Sequence, residues 1–405
     1  MHRLATLPGG WTPSTEGVIF VEQQPAPIVL ITAADTDIQT LAAAATQLPD
    51  DFPALRVVNL LQLQQQLTID TYAEEVLGKA QVIIVRVIGG RSYWSYGLEV
   101  VEETAQQTGA KLIILPGDER PDPNLMSHST VTLTEVNQVW KYFIEGGVDN
   151  SINLLKFVST YFLNQAYPFD PPQSVPRMGV YGGQATAFKF QSGVGILFYR
   201  AHYLAGNTAV IDALCQALVQ RNLTPLPIFV SSLREPDVQA QLLQYCDRGI
   251  EVLLNTTSFS LASLETDAPQ VELWEKLNVP VLQVILSGGS QEQWTSSFQG
   301  LAPKDMAMNV ALPEVDGRII TRAVSFKAVQ TQNPQLQTDV VVYEPVLDRI
   351  EFVADLAANW VKLRRTKPGD RKIALILANY PTRDGRLANG VGLDTPRSCL
   401  EILKA

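Results

Sequence analysis

Three stretches of this 405-residue chain gather side chains able to do chemistry. In Gly195–Asn207, GILFYRAHYLAGN, an apolar run ends in Arg200, His202 and Tyr203. A histidine titrates near neutrality and serves as proton acceptor or metal ligand, and an arginine beside it offers a bidentate fork to a carboxylate. In Leu312–Arg318, LPEVDGR, Glu314 and Asp316 stand two apart and Arg318 follows. Two such carboxylates are hard oxygen ligands for a divalent ion, or a general base. In Asn379–Arg386, NYPTRDGR, an asparagine, a tyrosine, two arginines and an aspartate fall within one turn-rich segment. Arg383 and Arg386 there suit the carboxylates of a ligand. Plainer readings stand beside each: a loop histidine, an Asp-Gly turn, a long solvated loop.

The elements that must position these groups read as strands feeding helices. Ile196–Tyr199 is an apolar, strand-like run, and Asn207 or Thr208 caps an amphipathic helix through Arg221. Open α/β sheets take their ligands at the carboxyl ends of the strands, where such loops converge. Upstream, Ile28–Thr32, Val57–Leu61, Val82–Ile88 and Lys111–Leu115 alternate with helical patterns, which implies a parallel, doubly wound unit over residues 1–130. Glu135–Gly146 and Asn150–Gln165 read as two successive helices, and a Pro-rich break closes at Pro176. Residues 131–176 are therefore a helical neck and linker. A second α/β unit spans 177–330, with Ala307–Leu312 and Ile319–Phe326 expected as its last strands. From 331 to 405 a long helix and the expected strand Ile373–Ala378 begin a third unit, cut short in an unfinished helix, RSCLEILKA. The fold class is α/β, in successive doubly wound parallel-sheet (Rossmann-like) units joined by a helical neck.

Composition narrows the function. A net charge of −10 argues against nucleic acid and against an anionic membrane surface as partners. Cys215, Cys246 and Cys399 have no zinc spacing and read as reduced thiols. The N-terminus has no apolar signal region and no run approaches a membrane span, so a cytoplasmic location is expected. No GxxxxGK[ST] occurs, and Gly390-Val391-Gly392 lacks the third glycine of a dinucleotide fingerprint, so the chain is expected to bind no nucleotide of its own. Neither a serine nucleophile elbow nor HExxH is present. The paired glycines at 89–90, 146–147 and 288–289 read as turns after strands and helices.

Four ordered motifs, GILFYRAHYLAGN, then Glu272–Val284 (ELWEKLNVPVLQV), Met306–Phe326 (MAMNVALPEVDGRIITRAVSF) and Ile373–Pro396 (IALILANYPTRDGRLANGVGLDTP), resemble the large, CobN-type subunit of aerobic cobaltochelatase. The superfamily includes the large subunit of magnesium chelatase; the last motif resembles the cobalt branch more. The resemblance implies ATP-dependent insertion of Co²⁺, as substrate metal, into hydrogenobyrinic acid a,c-diamide during cobalamin biosynthesis. ATP and Mg²⁺ are then bound by separate AAA+ chelatase subunits (CobS/CobT or ChlI/ChlD type), in keeping with the missing P-loop. On the matched motifs, Arg200, Tyr203, Arg318, Asn379, Tyr380, Arg383, Asp384 and Arg386 are expected to bind the tetrapyrrole. His202, Glu314 and Asp316 are expected to accept pyrrolic protons, with His202 and Glu314 as transient metal ligands. The family's chains are much longer, and a later His-Gly-Thr-x-Glu stretch is absent here, so this chain is expected to be an N-terminal fragment, inactive alone. The alternatives are a magnesium chelatase large subunit acting on protoporphyrin IX, a small-molecule binding module with a cleft between two α/β units, and a scaffold that docks partner subunits.

Overall fold

In the computed structural model the described residues are 20–117, 119–182, 192–262, 271–378, 388, 390 and 392–404. They divide into two units, Met1–Val361 and Lys362–Ala405. The first unit holds two sheets. In the first, β1 (Ile28–Thr32), β2 (Leu55–Asn59), β3 (Val82–Val87) and β4 (Lys111–Pro116) pair in parallel in the order β2-β1-β3-β4. Alternate residues feed opposite faces. Val29, Ile31, Ile83 and Val85 pack under α2 (Gln66–Glu75) and α3 (Ser95–Thr108). Ile28, Leu30, Val82 and Ile84 pack under α1 (Asp35–Ala45), α5 (Leu133–Glu145) and α6 (Val148–Phe162); the short α4 (Pro123–Met126) lies between β4 and α5. Both faces are buried, which is why these strands are almost wholly aliphatic. Thr132 and Glu135 form a reciprocal cap that starts α5. Gly146 and Gly147, both at positive φ, turn it into α6, as the paired glycines suggest.

The second sheet has seven strands in the order β11-β10-β9-β8-β6-β7-β5. In chain order they are β5 (Met178–Val180), β6 (Gly193–Tyr199), β7 (Thr224–Val230), β8 (Ile250–Asn255), β9 (Val281–Leu286), β10 (Ile319–Asn333) and β11 (Thr338–Pro345). The centre is parallel and both edges are antiparallel. After β6 come α7 (Arg200–Leu204) and α8 (Ala209–Val219). Helix α8 covers one face together with α14 (Leu347–Arg365). On the other face lie α9 (Pro236–Cys246) and α10 (Glu272–Leu277). Between β9 and β10 the chain runs through α11 (Gln291–Ser296), α12 (Pro303–Asp305), a π-helical turn at Met306–Ala311 and α13 (Leu312–Val315).

The segment expected as a strand at Ala307–Leu312 is thus helical. Its buried positions, Asp305, Met308, Asn309, Pro313 and Asp316, recur at helical rather than alternating spacing. A short apolar run cannot be told from a buried helix segment by its residues alone. Strand β11 is an element the sequence reading lacks. With β10 it makes an arm whose tip reaches the first sheet: Leu336 is fully buried in that sheet's core, and Val57 N–H donates to the Leu336 carbonyl at 3.3 Å. In the second unit, Ile373–Ala378 forms no strand, and Ile373 and Ile376 are exposed. The helix α15 (Thr395–Lys404) in that unit buries none of its residues.

Candidate functional site

The second sheet reverses its winding between β6 and β8, since β6 connects to β7 on one side while β8 lies on the other. Ligand crevices form at such points. Here the strand ends converge on the loop Thr256–Ala262. Tyr199, the last residue of β6, takes the Ser258 N–H on its hydroxyl at 3.0 Å and donates back to the Ser258 carbonyl at 3.3 Å. Burial pushes that hydroxyl's pKa up, so it stays protonated and able to donate. Asn255 and Gln283 donate to the Thr257 carbonyl at 3.1 and 3.0 Å. The Asp316 carboxylate accepts from Leu261 N–H at 2.8 Å, from Ala262 N–H at 3.1 Å and from Arg318 at 2.6 Å. Arg234 holds the Ser260 carbonyl at 2.8 Å. The π-helical turn closes the far side. Phe259 N–H donates to the Met308 carbonyl at 2.9 Å, and Ser258 Oγ to Asn309 at 2.7 Å. Asn309 donates in turn to Asp305, which also receives Ser287 Oγ at 2.6 Å and Gly288 N–H at 3.1 Å.

A second cluster lies where the two sheets of the first unit meet. Lys327 of β10 donates to Asp35, the first residue of α1, at 2.6 Å, with both side chains buried. Burial works against the Lys327 ammonium, but Tyr343, Asp35 and Asp305 facing it outweigh that and hold its pKa above the usual lysine value. Beside the pair is a cavity of about 30 Å³, lined among others by Gln39, His202, Asn207 and Tyr343. Burial, and then the neighbouring Lys327, push the His202 pKa down to about 4, so the imidazole is neutral at neutral pH. Its Nδ1 and the Gln39 Oε1 are sealed from solvent with no hydrogen-bond partner among the described residues.

The residues singled out by sequence are therefore spread over separate settings. Asp316 and Arg318 form one ion pair, with side chains all but fully buried, bonded to loop backbone. Burial lowers the Arg318 pKa, which Asp316 opposes. Arg200 spends its guanidinium on four main-chain carbonyls, those of Pro176, Ile144, Glu145 and Val175, at 2.7–3.1 Å. It thereby ties the neck to the end of β6. Tyr203 stacks on Phe229, ring centroids 4.1 Å apart and planes 3° from parallel. Glu314 is exposed on α13. Asn379, Tyr380, Arg383, Asp384 and Arg386 lie outside the described residues. Among the described residues no three His, Cys, Asp or Glu side chains gather as for a metal ion, and no helix is long and apolar enough to cross a membrane. Sequence reasoning did not mark Tyr199, Asp305, Asn309 or Lys327. A signal existed for two kinds: a lysine inside the apolar run AVSFKAV, and polar residues four apart, Asp305 and Asn309, on one helix face.

This is an α/β protein with a four-stranded parallel sheet and a seven-stranded mixed sheet. A family model described as CobN/Magnesium Chelatase matches residues 140–405, and the chain belongs to that family. It is 41% identical to the aerobic cobaltochelatase subunit CobN of Pseudomonas aeruginosa, over all of this chain and 33% of that one. With the H-type magnesium-chelatase subunit of Rhodobacter capsulatus it shares 26% identity over 65% of this chain and 24% of that one. Among solved structures, the catalytic subunit of cobaltochelatase from Mycobacterium tuberculosis matches with a TM-score of 0.62 and 30% identity, over 93% of this chain and 30% of that chain. The chain spans about a third of the length of the curated CobN relatives it matches.

Proposed function

We propose that this chain is part of the large, tetrapyrrole-binding subunit of a cobaltochelatase that inserts Co²⁺ into hydrogenobyrinic acid a,c-diamide. One observation carries the choice of branch: identity to CobN is 41% along the whole chain, against 26% along 65% of it for the magnesium-chelatase relative. ATP hydrolysis falls to AAA+ partner subunits, a division supported by the absence of a P-loop in the sequence.

Within that reading the loop at the end of β8 faces the ligand. Asp316, Arg318 and Tyr199 are positioning residues that hold its backbone in place before the ligand arrives. Such pre-ordering lowers the entropy cost of binding. Arg200 positions the neck. His202, in a cavity with room for a water but not for a macrocycle, acts through that water or through the contact between the sheets. Arg383 and Arg386 remain proposed partners for the macrocycle's carboxylates, and Glu314, exposed at the rim, a proposed transient ligand for the incoming metal.

The test is an absorbance titration of the chain with hydrogenobyrinic acid a,c-diamide, with protoporphyrin IX in parallel. Saturable binding of the first alone is the expected result. Preference for protoporphyrin IX would move the chain to the magnesium branch, and binding of neither would remove the macrocycle site from this part of the subunit.

A further inference from the structure

Phe259 sits at φ +66°, the one aromatic among the non-glycine residues at positive φ in the described chain. Asparagine visits this region readily, but for a bulky side chain it is an outlier that costs free energy. Such conformations persist where the surroundings over-determine them, and they cluster at functional sites. Here the over-determination is plain. Five residues around Phe259, namely Thr257, Ser258, Ser260, Leu261 and Ala262, are held by the side chains of Tyr199, Asn255, Gln283, Arg234, Asp316 and Asn309.

A second uncommon feature meets the first. The Phe259 N–H donates to Met308, inside the π-helical turn Met306–Ala311. Single π-helical turns are rare and occur frequently at functional sites. Thr257 and Ser260 are buried, while Ser258 and Phe259 between them are only partly buried, so the braced loop leaves part of the Phe259 ring open to solvent. Among the described residues its ring makes no ring–ring contact. The loop stands at the switch point between β6 and β8.

We propose that Phe259 is an aromatic platform for the face of the conjugated macrocycle, and that the strained loop is braced to hold it there. The inference rests on the tetrapyrrole reading above. The conjugated inner path of the macrocycle gains apolar burial and offset stacking against such a side chain. Asparagine or glycine at position 259 would suit the backbone better, and neither supplies a ring.

The experiment compares Phe259→Gly, Phe259→Trp and the unaltered chain, by titration with hydrogenobyrinic acid a,c-diamide and by thermal unfolding. Glycine removes the penalty at positive φ but also the partly buried ring, and the two effects oppose each other, so Phe259→Gly is expected to unfold within about 4 °C of the unaltered chain. Its affinity is expected to fall about tenfold or more, while Phe259→Trp stays within about threefold. Unchanged affinity in Phe259→Gly overturns the platform, and lower stability with unchanged affinity makes the residue a packing group. If glycine loses both stability and affinity, tryptophan decides: retained affinity supports the platform, and lost affinity overturns it. Absence of saturable binding by the unaltered chain overturns the tetrapyrrole reading itself, and the platform with it.

Discussion

The two sheets each have a switch point, and they use it in opposite ways. In the first sheet the crevice between β1 and β3 is filled by the protein's own charges. Arg86 pairs with Asp37 at 2.5 Å and reaches the Gly117 carbonyl at 3.0 Å. Lys327 arrives from the second sheet to pair with Asp35. In the second sheet the corresponding place orders a loop by its backbone, with the side chains of Tyr199, Asn255, Asp316 and Arg318 behind it. The same architecture yields a weld in one case and a presented loop in the other. The difference lies in reach: the first set pairs charges across separate elements, while the second is one local ion pair, Asp316–Arg318, whose carboxylate also takes main-chain N–H groups of a loop.

The largest expected effect tests the presented loop. Asp316→Ala removes the acceptor for two loop N–H groups and leaves Arg318 buried without its counter-ion. Breaking a buried pair from one side costs about 3–5 kcal/mol, to be read from urea unfolding. The double change Asp316→Leu with Arg318→Met is expected to recover much of that stability but not macrocycle binding, because the loop still lacks its acceptor. A double variant that binds as well as the unaltered chain would mean the brace does not serve the ligand.

The weld should respond differently. Lys327→Met takes away the ammonium that the buried Asp35 carboxylate faces, while the Asn59 amide at 3.3 Å stays, and is expected to cost about 3 kcal/mol. Adding Asp35→Asn should recover a large part of it, giving a coupling energy of at least about 1 kcal/mol in a double-mutant cycle. Macrocycle affinity is expected to stay within a factor of about three once the fold is restored. Loss of affinity in the restored double variant would erase the distinction between the two regions.

How much of this the sequence disclosed follows from how far each signal reaches. The buried strands were legible because double-sided burial demands aliphatic runs such as VIIVRV at Val82–Val87, and the neck helices because their apolar stripes repeat at helical spacing. Residue type also located the strand end at Tyr199-Arg200, whereas Asp316–Arg318, expected at a strand exit, follow helix α13 and lead into β10. What type could not convey is exposure. Asp316 is sealed because its acceptor capacity is taken by N–H groups some 55 residues earlier, and Arg200 because carbonyls of the neck surround it. Lys327 and Asp35 are 292 positions apart. No local pattern contains partners at that distance. The strand β11 escaped for a related reason: it exists by pairing with β10 and by anchoring its tip on the first sheet.

His202 offers a smaller effect with a definite sign. Its folded pKa of about 4 lies below the ordinary 6.5, with burial the main cause. The unfolded chain therefore binds more protons between these values, and stability rises with pH across that window. The contribution is fully present above about pH 6.5 and is lost as pH falls toward 4, with a ceiling of about 3 kcal/mol. His202→Phe should flatten that part of the profile relative to the unaltered chain, measured as the difference in unfolding free energy at pH 7 and pH 4.5. Parallel profiles would mean that the imidazole is not held neutral at the junction of the sheets.

The smallest effect is informative through its sign. Gln39 donates to the Val341 carbonyl and leaves Oε1 unpaired in the cavity it shares with His202. If the cavity were dry, Gln39→Met would give up one hydrogen bond, about 1 kcal/mol, and relieve an unsatisfied acceptor worth about 1–3 kcal/mol, so the variant would gain stability. A cavity of about 30 Å³ bounded by Gln39, His202 and Lys327 has both the volume and the polar partners for one water. With that water in place Oε1 is satisfied, and the substitution is expected to destabilise by about 1 kcal/mol. A gain would mark the weld as carrying an unsatisfied polar group. A loss of the expected size would mean that a water in the cavity satisfies the Gln39 acceptor at the junction.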